Sequence, residues 1–262
     1  MFQRIFKTIT KYFESGKFLA VISPLILIFL LLIIWEIGIL VFNTPNWMLP
    51  SPLAIIQEII GSKNILLEHA LVTLNESFWG LLLAIILGVI FGIVIFSFKI
   101  AERSVYPLII ASQTIPIIAI APLLLIWVGP GIQSKIIVVV LISFFPVVVN
   151  LIDGFKNSDK DYENMLKTFN ASKIQILLKI HFPFALPYLL SGIKIASVSS
   201  IIGAVIGEWV GSTEGLGWLI KISSPQFLTE RMFASIVILS FMAIILFLIS
   251  WLLEKFLLRN YQ

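Results

Sequence analysis

From Phe18 to Phe42 the chain carries one ionisable residue, Glu36, and long apolar runs recur over 71–98, 104–128, 136–152, 186–209 and 232–253. A helix rises 1.5 Å per residue and bilayer hydrocarbon is about 30 Å thick, so about twenty apolar residues suffice to cross it. Lipid offers a backbone no hydrogen-bond partners, which leaves helices and closed barrels as spanning structures. Runs of this length, apolar without alternation, select the helix. The expected fold class is therefore all-α, a polytopic membrane protein with six transmembrane helices in a single domain over 1–262. At 59% hydrophobic and 12% charged, the 262 residues lie far from soluble composition. Cysteine is absent, which excludes disulfides and thiolate chemistry, and two histidines make a histidine-rich metal site untenable.

The first apolar run is longer than a secretory core, so it reads as an uncleaved first span preceded by a basic segment, 1–17. The loops then alternate in charge. Thirteen of the eighteen Lys and Arg residues fall in 1–17, around Lys99 and Arg103, in 153–183 and after 253. Four, Lys63, Lys135, Lys221 and Arg231, fall in the opposite loops, and Lys194 lies within a span. By the positive-inside rule both termini and 153–183 are cytoplasmic, while 210–231 is an extracytoplasmic loop. The excess of +4 follows from this topology and calls for no nucleic-acid partner.

Residues 153–183 form the long charged stretch of the second half. Ser158, Asp159 and Asp161 suit a helix start, where oxygens accept orphan N–H groups and negative charge meets the dipole. Met165, Leu166 and Phe169 give that helix an apolar stripe, and Asn170, tolerant of left-handed backbone, should end it. Ser172 with Gln175 predicts a capping box and a second short helix that runs until Pro183 and Pro187. Two helices around a tight turn make a knob for a soluble partner.

This knob resembles the cytoplasmic signature of bacterial ABC-importer permeases: EAA, three residues, Gly, nine residues, then I-x-L-P. With Asn170 at the Gly, Ile180 and Pro183 match, Phe182 replaces Leu, and Asn164, Met165 and Leu166 stand where EAA is usual. LPSP at 49–52, PLLLIWVGPGIQSK at 122–135, FPFALPYLLSGIK at 182–194 and GEWVGSTEGLGWLI at 207–220 resemble the nitrate, sulfonate and taurine branch. The resemblance implies a type I importer permease fold with a cytoplasmic coupling helix, in a bacterial inner membrane. It also implies a homodimer, two cytoplasmic ATPase subunits that bind the ATP, and an extracytoplasmic solute-binding protein. On this reading Met165, Leu166, Phe169, Asn170, Ala171, Ile174, Ile180 and Pro183 dock the ATPase, and Pro183 and Pro187 fix the angle of the fifth span.

The chain has no G-x-x-x-x-G-K-[ST] loop and no convergent catalytic set, so it is expected to be neither an enzyme nor its own motor, with no cofactor or metal of its own. Gln113, Thr114, Ser197, Ser200 and Glu208 are candidates for the pathway. Each also has a plainer reading, as helix packing for the first four and a solvated carboxylate for Glu208. Glu36 suits snorkelling or a structural hydrogen bond, and Lys194 is expected to reach the cytoplasmic headgroups. The alternative class is a homodimeric ion-coupled transporter or channel, although such proteins favour carboxylates in mid-span. The runs at 144–146 and 208–212 lean towards vitamin precursors, the thiamine pyrimidine or riboflavin, as cargo.

Overall fold

The computed structural model describes residues 17–260, and among them every regular element is a helix. The expected N-terminal segment 1–17 lies outside the described residues apart from Lys17. The contacts fall into two compact units, Met1–Ser62 with Ser223–Ala234, and Lys63–Ile222 with Ser235–Gln262.

In the smaller unit, α1 (Lys17–Phe42) is apolar on every side. Its large side chains, Leu25, Phe29 and Leu40 among them, stay exposed as lipid-facing groups do. The chain turns at Asn43 in left-handed backbone (φ 48°) and starts α2 (Pro52–Gly61) from Ser51, whose hydroxyl accepts from Ala54 N–H at 3.2 Å. Pro52 opens that helix, where its missing N–H costs nothing. Glu36 accepts a hydrogen bond from Leu53 N–H at 3.4 Å, the structural hydrogen bond that was one of its two expected roles. Glu58 pairs with Arg231 at 2.9 Å, and the Thr229 hydroxyl donates to Trp47 O at 2.6 Å.

The larger unit contains α3 (Lys63–Ser97), α4 (Lys99–Ser112), α5 (Ile117–Val128), α6 (Ile132–Lys156), α7 (Lys160–Thr168), α8 (Lys173–Ile176), a π turn (Leu177–His181), α9 (Phe182–Gly211) and all but the last residue of α10 (Leu216–Ser223). The last long helix is α11 (Thr229–Leu257). Within this unit α6 packs along both α3 and α9, and their shared interior holds Val147, Leu151, Phe155, Ala185, Leu189 and Ala196. Small residues permit that closeness. Gly80, Gly88 and Gly92 on α3 lie one above another against Val139, Val147 and Leu151 of α6, and a Cβ on Gly88 would sit 2.6 Å from the Val147 side chain. Gly88→Leu is therefore expected to force the two helices apart and cost about 1–3 kcal/mol, seen as a lowered melting temperature of the purified protein.

Among the described residues five helices are long and apolar enough to cross a membrane, and the pair α4 and α5 brings the total to six if it counts as one span. That pair departs from the sequence expectation. The apolar run over 104–128, with Lys99 and Arg103 in the loop before it, predicts one spanning helix. Instead α4 begins at Lys99, and the chain bends by 100° between Ser112 and Ile117. Pro116 removes a backbone donor and restricts Ile115, so the helix ends before it and α5 restarts from it. The second departure runs the other way. The helix begun at Ser172 does not stop at Pro183 but continues through α9 to Gly211. At the π turn Phe182 N–H bonds back to Leu177 O, five residues away. Widening the turn by one residue is how a helix accommodates a proline that offers no donor.

Candidate functional site: the knob, its joint and a buried polar cluster

The two-helix knob follows from its local sequence. Asp159 caps α7 by accepting from Asp161 N–H at 2.8 Å, with Asp161 and Glu163 in the first turn and Lys167 in the last, as the helix dipole favours. Glu163 and Lys167 pair at 2.6 Å, and the Lys167 ammonium holds the Glu163 carboxyl below the ordinary carboxylate range. The helix closes with Asn170 in left-handed backbone (φ 58°), Asn170 N–H bonding Lys167 O at 2.9 Å and Ala171 N–H bonding Leu166 O at 3.0 Å. These two bonds make a Schellman motif. Ser172 and Gln175 then form both bonds of the capping box, at 3.3 and 2.7 Å. Met165, Phe169 and Ile174 are exposed, Phe169 to 75%, while Leu166, Ala171 and Pro183 are half-buried. Ile180 is buried and holds the knob to the bundle.

Beneath the knob lies His181, 7% exposed at the end of the π turn. Its Nδ1 meets Ser158 Oγ, and that hydroxyl donates to Phe155 O at 2.7 Å. Its Nε2 faces Glu163 Oε2 at 4.0 Å. The edge of Phe96 stacks on the ring at 4.8 Å, and Phe96 also contacts Phe155. Four elements thus meet at one imidazole: the ends of α3 and α6, α7 of the knob, and the start of α9.

At the opposite end of α9, Glu208 is fully buried. It accepts from the Thr73 hydroxyl at 2.6 Å and from Gly217 N–H, while Thr73 Oγ1 accepts from Leu216 N–H at 2.9 Å. Gly215 (φ 104°) passes so close to the Glu208 carboxyl that a Cβ there would collide with it. One carboxylate thus clamps the turn that leads into α10. Beside it Glu76, 1% exposed, pairs with Lys135 Nζ at 3.0 Å, and Lys135 also donates to Ser212 Oγ at 2.7 Å. Among the described residues Glu76 Oε2 has no hydrogen-bond partner. A cavity of about 520 Å³ opens on this cluster, lined by Asn75, Glu76, Lys135 and Glu214 with apolar neighbours. Lys135, expected in a tight loop, is instead a buried residue in the first turn of α6. Sequence reasoning missed Thr73 and the pairing of Glu76 with Lys135. The available signal was opposite charges near matching ends of two spans.

The remaining pathway candidates separate. Gln113 and Thr114 are exposed at the bend between α4 and α5. Ser197 and Ser200 are buried, Ser197 bonding Ile193 O at 2.8 Å and Ser250 of α11 at 2.6 Å, and Ser200 bonding Ser197 O. Lys194, expected at the cytoplasmic headgroups, pairs with Glu254 on α11 at 2.6 Å. Both side chains are half-buried. Among the described residues no three His, Asp or Glu side chains are placed to hold a metal.

The profile of the family described as binding-protein-dependent transport system inner membrane component matches residues 80–259. The formylaminopyrimidine transport permease protein ThiX of Halalkalibacterium halodurans is 40% identical over 238 residues, covering 90% of this chain and 95% of that protein. The riboflavin transport system permease protein RibX of Chloroflexus aurantiacus is 32% identical over 232 residues, covering 88% of this chain and 87% of that protein. Among solved structures, a chain of the inward-facing MetNI methionine ABC transporter superposes with a TM-score of 0.63 at 17% identity, covering 73% of this chain and 95% of that one, which fixes the fold alone. Sequence profile, full-length relatives and fold agree: the chain belongs to the binding-protein-dependent transport system inner membrane component family and is a permease subunit of an ABC importer.

Proposed function

We propose that two copies of this permease form the pathway of an importer for a small heterocyclic vitamin precursor of the formylaminopyrimidine type. Two ATPase subunits dock on its knobs, and a solute-binding protein delivers cargo to the other face. The observation that carries this reading is the exposed apolar set Met165, Phe169 and Ile174 on a knob otherwise rich in charge. Water disfavours such a set, and an apolar groove on a soluble partner would remove it from solvent. Leu166, Asn170, Ala171 and Pro183 complete the docking surface. The cargo class rests on the 40% identity to a formylaminopyrimidine permease.

On this reading the knob end faces the cytoplasm, where the excess of Lys and Arg places it. Nucleotide-driven closure of the ATPases displaces α7 and α8, and α9, continuous with α8 through the π turn, carries that movement across the membrane. Gln113 and Thr114 at the bend of the third span, and Glu208 at the far end of α9, are the candidates for the pathway.

The chain has no cysteine, so Phe169→Cys creates a unique label site. A membrane-impermeant maleimide is expected to modify it in inside-out vesicles and not in right-side-out vesicles, and bound ATPase is expected to protect it. Labelling from outside, or labelling unaffected by the ATPase, overturns the reading.

A further inference from the structure

We propose that His181 is the positioning residue that couples the knob to α9. This rests on the docking reading above and names the residue through which docking acts.

The geometry around the ring is asymmetric. The Ser158 hydroxyl spends its proton on Phe155 O, so it receives the proton of His181 Nδ1 and anchors the ring to the end of α6. That contact is closed in the present structure. The other is open: Nε2 lies 4.0 Å from Glu163 Oε2, beyond direct hydrogen-bond reach. An approach of about 1 Å between α7 and the ring, with one proton taken up from solvent at Nε2, would turn this gap into a charge-assisted bond from the imidazolium to the Glu163 carboxylate. Glu163 is already oriented for it, because Lys167 holds its other oxygen at 2.6 Å. The charged groups facing the ring are Glu163 and Lys167 of α7, while α3 presents the Phe96 edge.

The backbone supplies the freedom for such a movement. His181 ends a π turn, and Pro183 just beyond it cannot donate the bond that would lock an α-helical register. A π turn is a place where a helix can shift its pattern by one residue. One side of the imidazole is therefore fixed to the bundle, the other faces the knob across a gap, and the ring sits where α9 can respond. Two discrete arrangements biased from a distant site are what coupling of this kind requires.

Two substitutions separate the contacts. His181→Asn places an amide near the Nδ1 position and keeps the Ser158 contact but cannot reach Glu163. Glu163→Gln keeps the shape of the side chain and removes its charge. The experiment uses the complete permease and ATPase complex in lipid, with an environment-sensitive fluorophore on Trp209→Cys, at the end of α9 remote from the knob.

Both variants are expected to retain bound ATPase and to melt within about 2 °C of the parent, a shift that corresponds to a small change in stability. The ATP-induced change in fluorescence is expected to fall about tenfold, the scale of an allosteric coupling. A merely structural histidine predicts the reverse pattern, with the asparagine variant restoring response and stability together. A parent-like response in either variant overturns the proposal. An ATPase that fails to co-purify with the unsubstituted permease overturns the docking reading and this inference with it.

Discussion

A permease carrying Phe169→Asp is expected to fold to its ordinary melting temperature and, if the knob is the dock proposed above, to lose its ATPase. Phe169 is the C-cap residue of α7 and is 75% exposed, so its ring contributes little to the isolated protein. Burying that ring in a partner's groove is worth about 2–3 kcal/mol, and a carboxylate forced into the same apolar space costs more on top. A combined loss of about 4 kcal/mol weakens binding about a thousandfold. Within the permease the cost is small, because a negative charge at a helix C-terminus opposes the dipole by at most about 1 kcal/mol. Co-purification and thermal melting, measured on the same preparation, separate the two effects. Normal co-purification with persistent transport would remove Phe169 from the dock, and a collapsed melting temperature would make it a folding residue.

Much of this was legible in the sequence because it is local. Span positions follow from lengths of apolar residues, and the knob follows from caps that lie within a few residues of one another: Asp159 with Asp161, Ser172 with Gln175, and Asn170 as a left-handed stop. Gly80, Gly88 and Gly92 are small residues on one apolar run, a pattern that permits close helix approach, but no spacing rule names their partners on α6. What stayed hidden depends on tertiary placement or on a balance between local preferences. Pro116 and Pro183 carry the same chemistry, yet one breaks a span by 100° and the other is absorbed by a π turn. The difference lies in what surrounds each proline. Gln113 and Thr114 beside Pro116 are exposed, whereas His181 and Ala185 around Pro183 are buried and hold the helix in line. Likewise the contacts of Glu208 with Thr73, and of His181 with Ser158 and Glu163, join residues whose proximity no spacing rule announces.

Lys135→Met is expected to lower stability by about 3 kcal/mol, a fall of several degrees in melting temperature, and Glu76→Gln on that background is expected to recover most of it. The reason is the charge left behind. Lys135 is the partner of Glu76 Oε1, and Oε2 already lacks one, so the substitution strands a carboxyl that is 1% exposed. The clamping carboxylate Glu208 is buried in the same cluster, and the turn it holds also loses the bond from Lys135 to Ser212. Removing one member of a buried pair leaves an uncompensated charge, whereas removing both is often close to neutral. Methionine preserves the apolar stem that lysine packs on its neighbours, which confines the measured effect to the ammonium. The double-mutant cycle therefore decides what the cluster is for. A coupling energy near the full single-mutant loss makes the ion pair the element that seats α6 against α3. Strictly additive losses would mean that Lys135 acts through Ser212 and the turn before α10, and that Glu76 is free to serve the pathway instead.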